Sequence, residues 1–208
     1  MYEHRSNPFI LVVVIGLLLL ASRAEALETK TYTTLAPVVN FVLEDHEGKK
    51  YDNDRFLGKW TMILFGYTHC PDVCPFTLDN LVAVTEELSQ KVSPKSLPTV
   101  LFVGVDPERD KPNLKEYVNH FRKDFTGATG KWSEIEKLVV KLGGFVRLYK
   151  KNKDDHAYTV RHSSYVYIID PKGQLHARMN PPFETTRTSE FLANIIRQFK
   201  IKQARERG

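Results

Sequence analysis

Cysteine is scarce in this 208-residue chain: there are two, Cys70 and Cys74. Two thiols cannot build a disulfide scaffold, a four-cysteine zinc site or a conventional iron–sulfur ligand set. The eleven glycines and eleven prolines follow no period, so collagen and low-complexity architectures are excluded. No repeat of 20–50 residues recurs, which excludes solenoids. Charge of one sign does not dominate, since 30 Lys and Arg face 25 Asp and Glu, a net charge of +5. That excess suits a soluble domain, and no nucleic-acid motif accompanies it. The basic residues gather late, with Lys200, Lys202, Arg205 and Arg207 able to meet anionic lipid or an acidic partner.

Long apolar runs are also missing, with one exception. Residues 6–22 carry no charge, and Phe9 to Ala21 are almost wholly apolar, between Arg5 and Arg23. The core of this run has the length of a signal-peptide hydrophobic region, and Ala24-Glu25-Ala26 has the small-x-small form of a cleavage site. All 17 uncharged residues together are also long enough for a short anchor in a thin bilayer. Residues 1–26 are therefore read as a signal peptide or an N-terminal membrane anchor. Both readings export the rest, to the periplasm, either soluble or held at the inner membrane. Export places the two cysteines in an oxidising compartment.

The remaining sequence divides into a linker over 27–37, one domain over 38–200 and a basic tail over 201–208. Within the domain, Val38 to Leu43 reads as a strand returning through a Glu47-Gly48 turn toward Tyr51. Thr61 to Tyr67 and Thr99 to Val105 are continuous apolar runs, as expected of strands covered on both faces. Between them Leu78, Leu81, Val82 and Leu88 recur with helical spacing, which makes a βαβ unit with parallel strands. Helical stripes follow at Leu114, Tyr117, Val118 and Phe121, and at Ile135, Leu138, Val139 and Leu142. Phe145 to Lys150 reads as a strand. Tyr165 to Ile169 reads as another, turning through Asp170-Pro171-Lys172-Gly173 into Leu175 to Met179. A last helix carries Phe191, Leu192, Ile195, Ile196 and Phe199. A parallel βαβ half followed by an antiparallel ββα half is an α/β, thioredoxin-like plan, here with an N-terminal β-hairpin extension.

That plan puts Cys70 and Cys74 at the carboxyl end of the first central strand, on the start of a helix. On one helical turn, residues four apart lie about 6 Å apart and point the same way. Two readings of the pair stay open: a disulfide or redox couple, and two ligands for one ion. The helix N-terminus favours thiolate in either case. Soft sulfur prefers Cu(I), and one imidazole would complete a three-coordinate site. His162, just ahead of the strand Tyr165–Ile169, is the best-placed candidate. His69 is adjacent to Cys70, but chain neighbours point apart. Asp106-Pro107-Glu108-Arg109-Asp110 reads as a turn and helix cap at a strand end.

The run Gly66-Tyr67-Thr68-His69-Cys70-Pro71-Asp72-Val73-Cys74-Pro75, the segment Val105 to Asp110, and Val160-Arg161-His162-Ser163-Ser164 followed by Tyr167 to Gly173 resemble the Sco/SenC family, copper proteins of cytochrome c oxidase assembly. The resemblance spans roughly Val38 to Phe199. It implies one copper per monomer, Cu(I) or Cu(II), held by Cys70, Cys74 and His162 in a partly exposed site, with a supporting role for Asp106. Many members carry an acidic residue immediately before the His, where this chain has Arg161. The implied partners are cytochrome c oxidase subunit II or another copper donor or acceptor, and a thiol reductant. The competing expectation is a thiol–disulfide oxidoreductase in which Cys70 and Cys74 reduce partner cysteines or carry a redox signal.

Overall fold

The computed structural model describes residues 29–32, 37–150 and 158–208. The leader expected over residues 1–26 lies outside them, and among the described residues no helix is long and apolar enough to cross a membrane. Among the described residues, ten strands occur in chain order. They are β1 (Thr29–Thr31), β2 (Val42–Asp45), β3 (Lys50–Asp52), β4 (Thr61–Gly66), β5 (Thr99–Gly104), β6 (Thr126–Thr129), β7 (Val146–Tyr149), β8 (Thr159–His162), β9 (Val166–Ile169) and β10 (Leu175–Met179). The helices are α1 (Val73–Ser89), α2 (Pro107–Asp110), α3 (Leu114–Phe121), α4 (Trp132–Lys141) and α5 (Thr185–Arg207). Eight strands form one sheet in the order β1-β10-β9-β4-β5-β6-β2-β3, and β7 and β8 form a separate ribbon.

β4 is buried along its whole length, which its unbroken apolar run requires. It runs parallel to β5, with Gly66 opposite Gly104, and antiparallel to β9, with Leu64 opposite Val166. Three chain segments therefore meet over one edge of the sheet: the exits of β4 and β5 and the entry to β9. α1 buries Leu78, Leu81, Val84 and Leu88 along one stripe and packs against α5 and α3. The architecture is thioredoxin-like.

Several expectations are corrected. The stretch read as a linker contains β1, which extends the sheet antiparallel to β10, and Pro37 bridges to Gln174. The first hairpin strand begins at Val42 rather than Val38. Asn53 accounts for the delay: its side-chain amide donates to the Val38 and Val39 carbonyls, and its Oδ1 accepts from Phe41 N–H. Backbone groups already satisfied this way have no call for a ladder partner. β6, parallel to β5, was not expected because Thr-Gly-Ala-Thr lacks an apolar β-branched run. Its small residues are dictated by packing, since a Cβ at Gly127 would lie 2.6 Å from Leu114 Cγ. Nor is 201–208 a separate tail: α5 continues through Arg207. Lys, Gln, Ala, Arg and Glu are strong helix formers, and cations suit a helix C-terminus.

Candidate metal centre

Cys74 lies in the first turn of α1, where free N–H groups and the helix dipole favour negative charge. Cys70 is not on the helix, as one shared turn would require. It sits in the preceding loop, where its N–H donates to the Tyr67 carbonyl at 3.0 Å. The loop still carries its sulfur back toward Cys74. His162 ends β8 and reaches the same place from the far side of the sequence, with Nε2 3.4 Å from Cys74 Sγ. The ligand atoms of Cys70, Cys74 and His162 all lie within 4.8 Å of one another, the one such group of three or more among the described residues. His69 is exposed and stays outside it, with Nδ1 3.1 Å from Thr68 Oγ1.

The site is more enclosed than expected. Cys74 is 1% exposed and Cys70 9%, while His162 is half-buried and forms the accessible rim. Tyr67 stands edge-on to the imidazole, ring centres 6.0 Å apart, and walls one side. Gly66 allows this closeness. A Cβ there would lie 2.9 Å from Cys74 Sγ and 2.5 Å from Phe102 Cε2. Gly66→Ala is therefore expected to cost about 1–3 kcal/mol from overpacking. A thermal melt should show a midpoint lowered by several degrees.

The imidazole is oriented by its main chain. His162 Nδ1 lies 3.1 Å from the Ser163 carbonyl, which can only accept, so Nδ1 carries the hydrogen and Nε2 turns a lone pair to the sulfurs. Ser163 is locked in turn: its N–H donates to the Phe145 carbonyl, and its Oγ accepts from Phe145 N–H at 2.7 Å. Between the sulfurs one proton is held tightly. The Cys74 S–H donates to Cys70 and brings the Cys70 thiol down to about 4, against the opposing effect of burial. The N–H groups of Asp72 and Cys74 add to the lowering. The same hydrogen bond, then burial, pushes Cys74 far up. At neutral pH the pair thus carries one negative charge, on Cys70.

The acidic segment after β5 is neither a simple turn nor a side-chain cap. Asp106 makes no capping bond. Its buried carboxylate accepts from Tyr158 Oη at 2.6 Å and from Arg109 Nε. Arg109 also donates to the Tyr158 carbonyl at 3.2 Å and lies 3.7 Å over the Tyr158 ring. Asp110 is fully buried, and its Oδ1 accepts from Thr68 N–H at 2.7 Å and from Thr68 Oγ1 at 2.9 Å. Its Oδ2 accepts from Asp106 N–H at 2.9 Å. One five-residue segment thus ties the cysteine loop to the chain leading into β8. Thr68, Asp110, Tyr158 and Arg109 were not recognised as site residues from sequence. The acidic segment itself was visible, but its partners lie 42 to 52 residues away. Tyr158→Phe should cost about 1–3 kcal/mol by leaving a buried carboxylate oxygen short of a donor, read as a lower denaturation midpoint.

Two thiols, one of them ionised, and an imidazole with its lone pair presented form a soft, three-donor set. Residues 30–198 match the SCO1/SenC family. The chain belongs to the SCO1/SenC family. It is 33% identical over 190 residues to mitochondrial SCO2 of Saccharomyces cerevisiae, covering 91% of this chain and 62% of that protein. A SCO2-like protein of Rickettsia conorii is 35% identical over 156 residues, covering 74% of this chain and 75% of its own length. This SCO1/SenC chain also superposes on solved relatives. Yeast Sco1 with copper bound gives a TM-score of 0.71 at 29% identity, covering 78% of this chain and 89% of that one. Bradyrhizobium japonicum ScoI with copper bound gives 0.62 at 32% identity, covering 78% and 99%.

Proposed function

We propose that this SCO1/SenC protein is a copper metallochaperone. Cys70, Cys74 and His162 take up one copper per monomer, as Cu(I) or Cu(II), and pass it to the dinuclear copper centre of cytochrome c oxidase subunit II during assembly of the respiratory complex. It works outside the cytoplasm, in the periplasm, its leader either cleaved or retained at the inner membrane. The observation that carries this reading is the meeting of the three soft donors at one sheet edge, with the imidazole tautomer already set. Copper-bound relatives that share the fold support it.

The chain's own groups define the handover. Cys70 supplies a thiolate without prior deprotonation. Cys74 must give up the shared proton to become the second sulfur ligand, so uptake is linked to proton release. His162, at the rim, is the ligand that an incoming acceptor reaches first. A three-coordinate ion leaves room for an acceptor ligand to attach before a donor departs, so copper is never free in solution.

The lowered Cys70 thiol also favours a second reading. The Cys70 thiolate attacks a partner disulfide and forms a mixed disulfide, with the first partner sulfur leaving as a thiolate. Cys74 then gives up its proton, displaces the second partner sulfur and closes a Cys70–Cys74 disulfide. Two electrons pass to the partner, and an external thiol reductant restores the pair. Burial of both sulfurs weighs against that attack.

The experiment follows copper from the loaded full chain to the apo copper domain of subunit II, beside reduction of a disulfide form of that domain. The chaperone reading expects stoichiometric copper transfer that His162→Ala abolishes. Disulfide reduction that survives His162→Ala, with no copper transfer, would instead establish the oxidoreductase.

A further inference from the structure

The β7–β8 ribbon carries the site on one face and an unusual charge arrangement on the other. Val146, Leu148, Val160 and His162 face inward, whereas Arg147, Tyr149, Thr159 and Arg161 are exposed. Arg147 and Arg161 are direct cross-strand partners, and Leu148 pairs with Val160 beside them. Cross-strand neighbours on one face stand about 4.5–5.5 Å apart, and like charges there repel. Among the described residues neither guanidinium has a carboxylate partner. Arg161 instead lies 6.0 Å over the Tyr149 ring. Lys150, just after β7, adds a third cation, and among the described residues its carboxylate neighbour is Glu108, 3.6 Å away. Folding gains nothing from setting two arginines opposite each other.

The same face exposes two aromatic rings. Tyr149 is 47% exposed, and Phe145, one step before β7, is 50% exposed although Ser163 holds its backbone on both sides. A short row of Phe, Arg and Tyr with a second Arg opposite has the composition of a protein–protein hot spot, rich in aromatics and Arg. It also borders the metal centre along the chain, because His162 follows Arg161 directly, about 3.4 Å further along the strand and on its opposite face.

We propose that this outer ribbon face docks an acidic segment of the copper acceptor. Arg147 and Arg161 take its carboxylates, and Phe145 and Tyr149 cover its apolar side chains. The assignment rests on the chaperone reading. Charge complementarity at the rim speeds encounter and fixes the register in which the acceptor reaches His162.

The test uses the full chain carrying Arg147→Glu with Arg161→Glu, and a second form with both changed to Lys. Copper stoichiometry should be unchanged in both. The second-order rate of copper transfer to the apo subunit II domain at low salt should fall about tenfold or more in the Glu form and lose its salt dependence. The Lys form should keep the salt dependence. An unchanged rate and salt dependence in the Glu form would overturn the proposal. A separate titration calorimetry experiment uses the metal-free chain with a ten-residue peptide of alternating glutamate and tyrosine. Wild type should bind it, bind its lysine-for-glutamate counterpart not at all, and lose binding in the Glu form. No binding by wild type would overturn the proposal even if no copper moves to subunit II, a result that would sink only the chaperone reading. Binding to anionic phospholipid vesicles that the Glu form loses, without peptide binding, would assign the face to a membrane and also overturn it.

Discussion

Cys74→Ser is expected to lower Cu(I) affinity by roughly 10²–10³, and His162→Ala by a comparable factor. Structural zinc sites of four ligands gain about 10–16 kcal/mol, about 2.5–4 kcal/mol per ligand, and a similar worth per ligand here is the basis of that range. Competition against a chromophoric Cu(I) chelator measures it. The proton inventory gives a second, independent reading of the same site. Cys70 is already ionised at neutral pH, brought down to about 4, whereas Cys74 holds the shared proton. Cu(I) uptake by wild type should therefore release about one proton near pH 7. Cys74→Ser should release none. Calorimetry in buffers of different ionisation enthalpy counts the protons. Release of two from wild type would mean that both sulfurs are thiols in the metal-free chain.

The second large effect is on stability and falls at Asp110. Removing its carboxylate strands the buried N–H groups of Thr68 and Asp106 and the Thr68 hydroxyl. Unpaired buried donors cost about 1–3 kcal/mol each, partly offset by relief of a buried charge. Asp110→Ala is expected to lose about 2–4 kcal/mol and, at 2–4 °C per kcal/mol for a domain of this size, to melt roughly 5–15 °C lower. Asp110→Asn should fall between, because one oxygen still accepts from Thr68. The pH dependence has a definite sign. Burial raises the Asp110 carboxyl from 3.8 to about 6, so between those values the folded state binds the proton more tightly than the unfolded chain. This contribution to stability is complete below about pH 4, is lost as pH rises toward 6, and stays lost above it. The difference corresponds to about 3 kcal/mol. Chemical denaturation of wild type and Asp110→Asn across that window should show the decline in wild type alone.

Much of the architecture was legible because burial writes itself into sequence. The unbroken apolar runs at Thr61 to Gly66 and Thr99 to Gly104 are strands covered on both faces, and the spacing of Leu78, Leu81 and Leu88 is one helix stripe. Once β4 and β5 are parallel and β9 is antiparallel to β4, the cysteine loop and His162 must share an edge. What stayed hidden is long-range and small. β6 is a strand made of Thr, Gly and Ala because Leu114 and Val118 press on it, which no local propensity records. β8 is short and finds its partner in β7. The roles of Asp106 and Asp110 depend on hydrogen bonds to Tyr158 and Thr68, and sequence shows an acidic cluster without showing what it grips. Cys70 lies in the loop, not on α1, because the exit from β4 needs the residues Tyr67 to Asp72 to turn before the helix begins.

The joint grip of Cys70, Cys74 and His162 on a single ion is tested most directly by X-ray absorption at the copper edge of the Cu(I)-loaded full chain. The account predicts two sulfur scatterers and one nitrogen with imidazole multiple scattering, the nitrogen disappearing in His162→Ala. A spectrum of wild type with sulfur ligands alone, unaltered by that substitution, would contradict it.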